Sequence, residues 1–347
     1  MQAKRFILLA LGLVLLVWLW REPPTDEFAG LIDSLESVTV TGHPPHAART
    51  GEKLSLKTAA NASIDEELLA RIHAEAEKRR VAPIDAKLDS VWKAIPGYNG
   101  LEVDVDKTIA QVAKTGKTEP IPFVYREVSP ARHLDDLGAQ PVFKGNPHKP
   151  MVSLMINVAW GNEFIPKMLK VLEEENVHAT FFFDGSWLRK NVETAKLIQA
   201  AGHELSNHAY SHKNMSRLSD AQAREEIVKT QALLKTELGV DNRLFAPPSG
   251  DFDMETVRVA YELGLRTILW TLDTVDWKNP SPQWVLQKIS ARLEPGSMIL
   301  MHPTQASSVA LAGMIHEIKK RNYALGTVSE LLSPSRVPDR EQLAAIE

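Results

Sequence analysis

The chain reads MVSLMIN from Met151 to Asn157, an apolar run interrupted in its interior only by Ser153. A short run of this kind is typical of a strand buried on both faces of a parallel sheet. From here the sequence alternates between apolar strands and amphipathic helices. We predict strands at 152–157, 179–183, 204–207, 244–246, 267–272, 297–301 and 323–327, and helices at 163–174, 186–201, 219–239, 254–263, 282–293 and 309–321. This alternation predicts an α/β fold with a parallel sheet, open or closed into a barrel.

Five polar residues fall at the carboxyl ends of the predicted strands: Asn157, Asp184, His208, Asp273 and His302. Ligand and catalytic groups of parallel α/β folds lie at this edge of the sheet. Any one of these residues alone is more often a solvated loop residue. Five of them at the same edge predict a single site.

His208 and His212 are four residues apart, so their imidazoles can bind one metal ion if the backbone turns between them. The spacing alone is a weak signal, because it also arises by chance. It gains weight from Asp273-Thr-Val-Asp276-Trp277 and from His302 further along the chain. Together these residues indicate an acyl-hydrolase site.

Composition excludes several other classes of function. The formal net charge is −4 over 347 residues, which gives no electrostatic footprint for nucleic-acid binding. Cysteine is absent, so the chain has no disulfide, no thiolate metal ligand and no cysteine nucleophile.

The N-terminus predicts a membrane anchor. Lys4 and Arg5 precede an apolar run from Phe6 to Trp20, about 22 Å long as a helix, with no cleavage site of the signal-peptide type after it. We therefore expect an uncleaved anchor whose following chain lies outside the cytoplasm, in the cell envelope. The predicted organisation is an anchor at 1–21, a stalk at 22–60, a small α+β domain at 61–140, the main domain at 150–330 and a tail at 331–347.

Residues 151–330 resemble the NodB-homology polysaccharide deacetylases, carbohydrate esterase family 4, and especially the YlxY-like, sporulation-associated branch found in endospore-forming bacteria. The resemblance implies a distorted (β/α) barrel and the hydrolysis of acetyl groups, such as the N-acetyl groups of a cell-wall or spore glycan. It also implies five short motifs, of which the second, fourth and fifth keep their main residues. His208 and His212 match the metal-binding histidines, Asp273 and Asp276-Trp277 match the fourth motif, and Leu300 and His302 match the fifth, with His302 as general acid.

The first and third motifs depart from the family pattern. Asn157 stands where the family has its catalytic base, and Val158 stands where it has its metal-binding aspartate. The third motif reads Ala246-Pro247-Pro248-Ser249-Gly250, so the arginine that steadies the base is lost. An arginine facing an amide would be an unpaired charge, so the three changes are consistent with one coordinated redesign.

These changes bear directly on the expected chemistry. An amide such as Asn157 is no base at neutral pH, and a valine cannot bind a metal. The resemblance implies a divalent metal such as zinc, but Val158 argues against it, because zinc normally takes three or four protein ligands. Asp184, or less favourably Glu163, is a candidate substitute ligand or base; the alternative is that Asp184 starts the next turn and Glu163 caps a helix.

Candidate substrate-binding residues follow from the same motifs: Trp160, Trp277, Pro248, Ser249 and Leu300. Trp160 and Trp277 could stack on sugar rings, with core packing as the alternative, which we favour for Trp277. Three hypotheses stay open. The protein is a deacetylase with an altered metal site, or a catalytically inactive glycan-binding pseudoenzyme, or an envelope scaffold whose segment at about 60–130 contacts a protein partner.

Overall fold

The computed structural model describes residues 65–337. The helices in this range are α1 Glu66–Lys78, α2 Val105–Thr115, α3 Ile165–Glu174, α4 Gly185–Lys190, α5 Val192–Ala200, α6 Asp220–Leu238, α7 Met254–Glu262, α8 Pro282–Ser290, α9 Gln305–Lys320 and α10 Val328–Leu332. The strands are β1 Lys87–Asp89, β2 Lys93–Ile95, β3 Gly100–Val103, β4 Tyr125–Val128, β5 Met151–Val158, β6 Thr180–Phe183, β7 Glu204–Asn207, β8 Leu244–Phe245, β9 Arg266–Thr267, β10 Leu272–Asp273, β11 Met298–Met301 and β12 Ala324–Gly326.

Strands β5 to β12 form one parallel sheet in the order β10-β11-β5-β6-β7-β8-β9, and β12 also pairs with β5. The expected α/β fold is confirmed as a half-barrel, since the order ends at β9 and β10. The single strand predicted at 267–272 is wrong, because it is divided between these two end strands. Leu269 in the gap donates its N–H to the carbonyl of Val142 instead, at 2.8 Å.

All eight residues of β5 are buried, and its alternate residues pack into two different layers. Val152, Leu154, Ile156 and Val158 join the cluster that also contains core residues of α3, α8 and α9. Met151 and Met155 face the other way, into a cluster with Phe182 and Leu300. Burying a side chain of this size contributes about 1.5–3 kcal/mol, so the central strand is held from both sides.

The helix predicted at 186–201 is two helices, because Asn191 interrupts it with non-helical backbone angles. The Asn191 side chain donates to the carbonyl of Trp187 at 2.8 Å and so ends α4. Ser219 and Gln222 form a capping box at the start of α6. The side chain of Asp65 accepts from the N–H of Leu68 at 2.7 Å and caps α1.

Residues 65–143 contain two antiparallel strand pairs, β1 with β2 and β3 with β4, together with α1 and α2. Asn146 donates to the carbonyl of Pro96, and the N–H of Asn99 to that of Pro334. These bonds tie the segment to the sheet region, and all described residues fall in one compact unit. These contacts do not separate residues 61–140 from the main domain, so the small domain predicted there stays a prediction.

No helix between residues 65 and 337 is long and apolar enough to cross a membrane. The predicted anchor and stalk lie outside the described residues, and so does most of the predicted tail.

Candidate functional site

The five polar residues expected at one sheet edge do lie at the carboxyl ends of five adjacent strands. Asn157 is near the end of β5, and Asp184 and His208 directly follow β6 and β7. Asp273 ends β10, and His302 directly follows β11. Because the sheet order is β10-β11-β5-β6-β7, these ends are neighbours in space as well.

The two imidazoles of the second motif lie close together, edge to face. The ring centroids of His208 and His212 are 5.2 Å apart, and both Ala209 and His212 adopt positive φ angles that turn the backbone between them. His208 Nδ1 donates to the carbonyl of Ala246 at 2.7 Å, which leaves Nε2 as an acceptor. Burial, and then the neighbouring His212, lower the pKa of His208 to about 3, so this imidazole is neutral at physiological pH.

Glu226 on α6 holds this turn in place, a role that the sequence did not reveal. Its carboxylate accepts from the N–H groups of Tyr210 and Ser211 at 3.1 and 2.7 Å, and from the hydroxyl of Ser211 at 2.6 Å. Burial works against its ionisation, but these bonds and Lys213 outweigh it and lower the pKa of Glu226. Glu226 lies on a helix that is separate in sequence from the histidine turn, and it belongs to no recognisable motif. Its contact with the turn is therefore visible only in the folded structure.

Asn157 and Val158 are buried to 3% and 0% exposure. The side-chain oxygen Oδ1 of Asn157 has no hydrogen-bond partner. Val158 points into the apolar cluster that β5 shares with the surrounding helices. The position that the family resemblance assigns to a metal-binding aspartate is therefore filled by a packed hydrocarbon side chain.

Asp184 starts the next helix, as the alternative for this residue expects, and its role as a substitute metal ligand stays a prediction. Its Oδ1 accepts from Ser186 Oγ at 2.6 Å and from the N–H of Trp187 at 2.9 Å, so it caps α4. Burial raises the pKa of Asp184 although these bonds oppose the shift. Glu163 is exposed at the start of the loop before α3. Between residues 65 and 337 no three His, Asp or Glu side chains are arranged to hold a metal ion.

This donor set does not fit the zinc-type ion that the resemblance implies. The imidazoles of His208 and His212 supply two nitrogen donors, and a structural or catalytic zinc needs at least one more protein ligand. Val158 provides no donor atom, and Asp184, which caps α4 through Oδ1, is not grouped with the two imidazoles in an arrangement that holds a metal ion. We therefore derive no reaction step through a metal.

Asp276, and not Asp273, orients the imidazole of His302. Asp276 Oδ1 lies 2.8 Å from His302 Nδ1, and its Oδ2 accepts from the backbone N–H of His302 at 2.6 Å and from Ser307 Oγ. Burial opposes its ionisation, but the bonds from His302 and Ser307 outweigh it and lower the pKa of Asp276. Asp273 instead accepts from the N–H of Val275 at 2.7 Å. Of the two aspartates of the fourth motif, Asp276 is thus the partner of His302.

Trp160 covers the site from the loop after β5. Its ring stacks on His302 with centroids 5.2 Å apart and an angle of 15°, and it meets His212 edge-on at 6.3 Å. Gly161 allows this, because a Cβ there would lie 1.9 Å from the carbonyl oxygen of Pro303. The indole is still 43% exposed, so a flat sugar face can reach it.

The remaining candidates for substrate contact divide into exposed and buried residues. Trp277 is 55% exposed, so the prediction that it packs in the core is wrong. Leu300 and Pro248 are buried, and Leu300 packs in the cluster with Met155. Ser249 is exposed and takes a positive φ of 58° in the short turn after Ala246.

The arrangement has binding surfaces and one acid–base pair. His302 with Asp276 can hold or transfer a proton, and Trp160 can stack on a sugar. Among residues 65–337, no carboxylate stands at the position of Asn157 and no three side chains are arranged to hold a metal ion. The groups that the described site presents are the exposed indole of Trp160 and the His302–Asp276 pair.

The chain is similar to a protein family, to individual proteins and to solved structures. A family model described as polysaccharide deacetylase matches residues 144–268. The protein YlxY of Bacillus subtilis is 42% identical over 81% of this chain and 86% of its own length, and a peptidoglycan-N-acetylglucosamine deacetylase of Bacillus cereus is 32% identical over 56% and 72%.

Two solved structures are similar over most of their length. The crystal structure of BA3943 from Bacillus anthracis, named as a CE4 family pseudoenzyme, has a TM-score of 0.73 and 41% identity over 78% of this chain and 96% of that one. A mutant of BA3943, named as having restored enzymatic activity, has the same TM-score, with 40% identity over 78% and 99%.

Proposed function

Because the chain belongs to the polysaccharide deacetylase family, carbohydrate esterase family 4, we propose that it is a glycan-binding pseudoenzyme of the cell envelope. It binds an N-acetylated or partly de-N-acetylated wall or spore glycan in the cleft beneath Trp160 and does not hydrolyse the acetyl group. The peptidoglycan deacetylases among its relatives support the substrate class. The apolar run at 6–20 supports a position at the outer face of a membrane.

The observation that carries the proposal is the buried side chain of Val158. The resemblance implies that catalysis in this family uses a metal-binding carboxylate at this position. Val158 instead has no exposed surface and packs among apolar residues. The neighbouring Asn157 replaces the base, and Ala246 removes the arginine that would steady a base. All three changes put an uncharged side chain where the family pattern has a charged one, while the indole of Trp160 stays exposed.

A second candidate is a hydrolase with an altered site. The pair His302–Asp276 and the neutral imidazole of His208 are the observations that favour it, since a binding protein has no need of an oriented acid. Such an enzyme would need a base that the described residues do not supply at Asn157.

One experiment separates the two candidates. The full chain, kept in mild detergent because of its apolar N-terminal run, is titrated with the tetramer of N-acetylglucosamine, and free acetate is measured in the same samples. The proposal predicts binding without acetate release above the level of a His302→Ala variant. Acetate release that depends on His302 would favour the hydrolase.

The Trp160→Ala variant shows whether binding occurs in the cleft. Loss of a stacked indole is worth about 1–3 kcal/mol, which corresponds to at least a fivefold weaker tetramer affinity. Tyr261→Ala is the matched control, because Tyr261 is exposed to 44% and lies on α7, away from the site. Equal weakening by both variants, or by neither, would contradict binding in the cleft.

A further inference from the structure

Two buried oxygen atoms at the floor of the site have no hydrogen-bond partner. They are Oδ1 of Asn157 and Oδ2 of Asp184, in side chains that are 3% and 2% exposed. Leaving a buried polar group unpaired is destabilising, and more so for a charged one. Asp184 is already bonded through Oδ1, so Oδ2 is the oxygen of its carboxyl group that has no partner.

The register of the sheet places these atoms on one face. Asn157 pairs with Phe182 across β5 and β6, and Asp184 follows Phe182 by two residues. Because side chains alternate along a strand, Asn157, Phe182 and Asp184 share the same side of the sheet. The N–H of Asp184 also donates to the carbonyl of Val158 at 3.0 Å, which keeps the two strand ends together.

The adjacent strand adds a third acceptor. Phe182 pairs with Ser206, and His208 follows Ser206 by two residues, so His208 lies on this same face. Since its Nδ1 donates to Ala246, its Nε2 presents a lone pair. Asn157 Oδ1, Asp184 Oδ2 and His208 Nε2 are all acceptors, and one of them belongs to a carboxyl group.

Three hydrogen-bond acceptors on one face of the sheet favour a ligand with several hydrogen-bond donors. A protonated amine carries three N–H donors and a positive charge. An acetamido group carries one N–H donor, and its carbonyl oxygen is a further acceptor that would face the carboxylate. A charged donor on a carboxylate also makes the stronger hydrogen bond.

We propose that this floor binds the free amino group of a de-N-acetylated sugar, so that the cleft prefers glucosamine residues to N-acetylglucosamine residues. The inference rests on the proposed function, namely that the cleft binds glycan. In this role the protein recognises glycan from which another protein has already removed acetyl groups.

The test compares two tetramers, one of glucosamine and one of N-acetylglucosamine, titrated separately into the full chain at pH 6 and physiological salt. We expect the glucosamine tetramer to bind about tenfold more tightly. Asp184→Asn should abolish this preference, because asparagine keeps the helix cap but replaces the free oxygen by a donor NH₂ group. Asn157→Asp should increase the preference, because it adds a second carboxylate.

Asp241→Asn is the matched control for net charge, since Asp241 is an exposed aspartate paired with Lys235. It should leave the preference intact. A preference that persists in Asp184→Asn would mean general attraction to an acidic protein and would overturn the inference. If both tetramers bind with equal affinity, and if Trp160→Ala weakens this binding, the preference for glucosamine is overturned while the proposed glycan binding stands. Binding of neither tetramer would overturn the proposed function and this inference with it.

Discussion

Asp276 holds His302 by two contacts, with the imidazole Nδ1 at 2.8 Å from one carboxylate oxygen and the backbone N–H at 2.6 Å from the other. Both residues are buried, and Ser307 supplies a further hydrogen bond to the carboxylate. This pair fixes the ring orientation and leaves Nε2 unconstrained by Asp276. It is the part of the site that would serve proton transfer, and it also serves stability.

Replacing Asp276 with asparagine should therefore destabilise the fold by about 3 kcal/mol, because the buried contacts to His302 and Ser307 lose their charged acceptor. The free energy of unfolding, measured by urea denaturation, checks this. Asp273→Asn is the control and should cost less than about 1 kcal/mol, since Asp273 is only partly buried and caps a turn. A larger cost for Asp273 would mean that the pairing is assigned to the wrong aspartate.

Val158→Asp should cost several kcal/mol of unfolding free energy, whereas Asn157→Asp should change it by about 1 kcal/mol or less. The first change puts a carboxylate into the apolar layer around β5. The second exchanges similar side chains at a position that already holds a polar group. Thermal unfolding of the two single variants without added metal compares them directly, and equal losses would show that Val158 does not pack as described.

Zinc should bind the wild-type chain no more tightly than it binds a His208→Ala variant. Two imidazoles alone leave the ion short of a protein ligand, and Asp184 is held as a helix cap. Calorimetric titration of both proteins, after treatment with a chelator, measures this. Micromolar or tighter binding that vanishes in His208→Ala would reveal a third ligand and would favour the hydrolase.

Acid should destabilise the protein through His203. Burial, and then His178, lower the pKa of His203 from 6.5 to about 4, so the folded state holds this ring neutral while the unfolded chain protonates it more readily. The contribution is complete above pH 6.5 and is lost as the pH falls towards 4, by about 3 kcal/mol in total.

The difference between wild type and His203→Gln in urea denaturation at pH 7 and pH 4 isolates this contribution. The variant should lose about 3 kcal/mol less than wild type over this interval. His73→Gln, at an exposed position on α1, should follow the wild-type pH dependence. An identical pH dependence of wild type and His203→Gln would contradict the shift.

The sequence was sufficient for the sheet and for which strand ends carry the site, because the apolar runs and the residues that follow them are local patterns. It was not sufficient for the choice between Asp273 and Asp276. Val275 takes a positive φ of 53° between them and turns Asp276 back towards His302, and no spacing rule encodes that turn. Glu226 was missed for a similar reason, since its contact to the histidine turn depends on how α6 packs.

The helix-capping role of Asp184, the alternative for this residue, has a different physical cause. The residue is at the expected edge, but the helix that follows needs a cap, and its free N–H groups take one carboxylate oxygen. The position of Asp184 in the sequence does not show whether its carboxylate caps a helix or binds a metal ion.

The most direct test is acetate release from the N-acetylglucosamine tetramer by wild type and by a variant that carries Asn157→Asp and Val158→Asp, each with added zinc. The account predicts no release by wild type beyond the His302→Ala level, and release by the double variant, if necessary once Ala246→Arg is added to steady the new carboxylate. Release by wild type that disappears in His302→Ala would contradict it, because hydrolysis would then proceed without the residues that we hold to be missing.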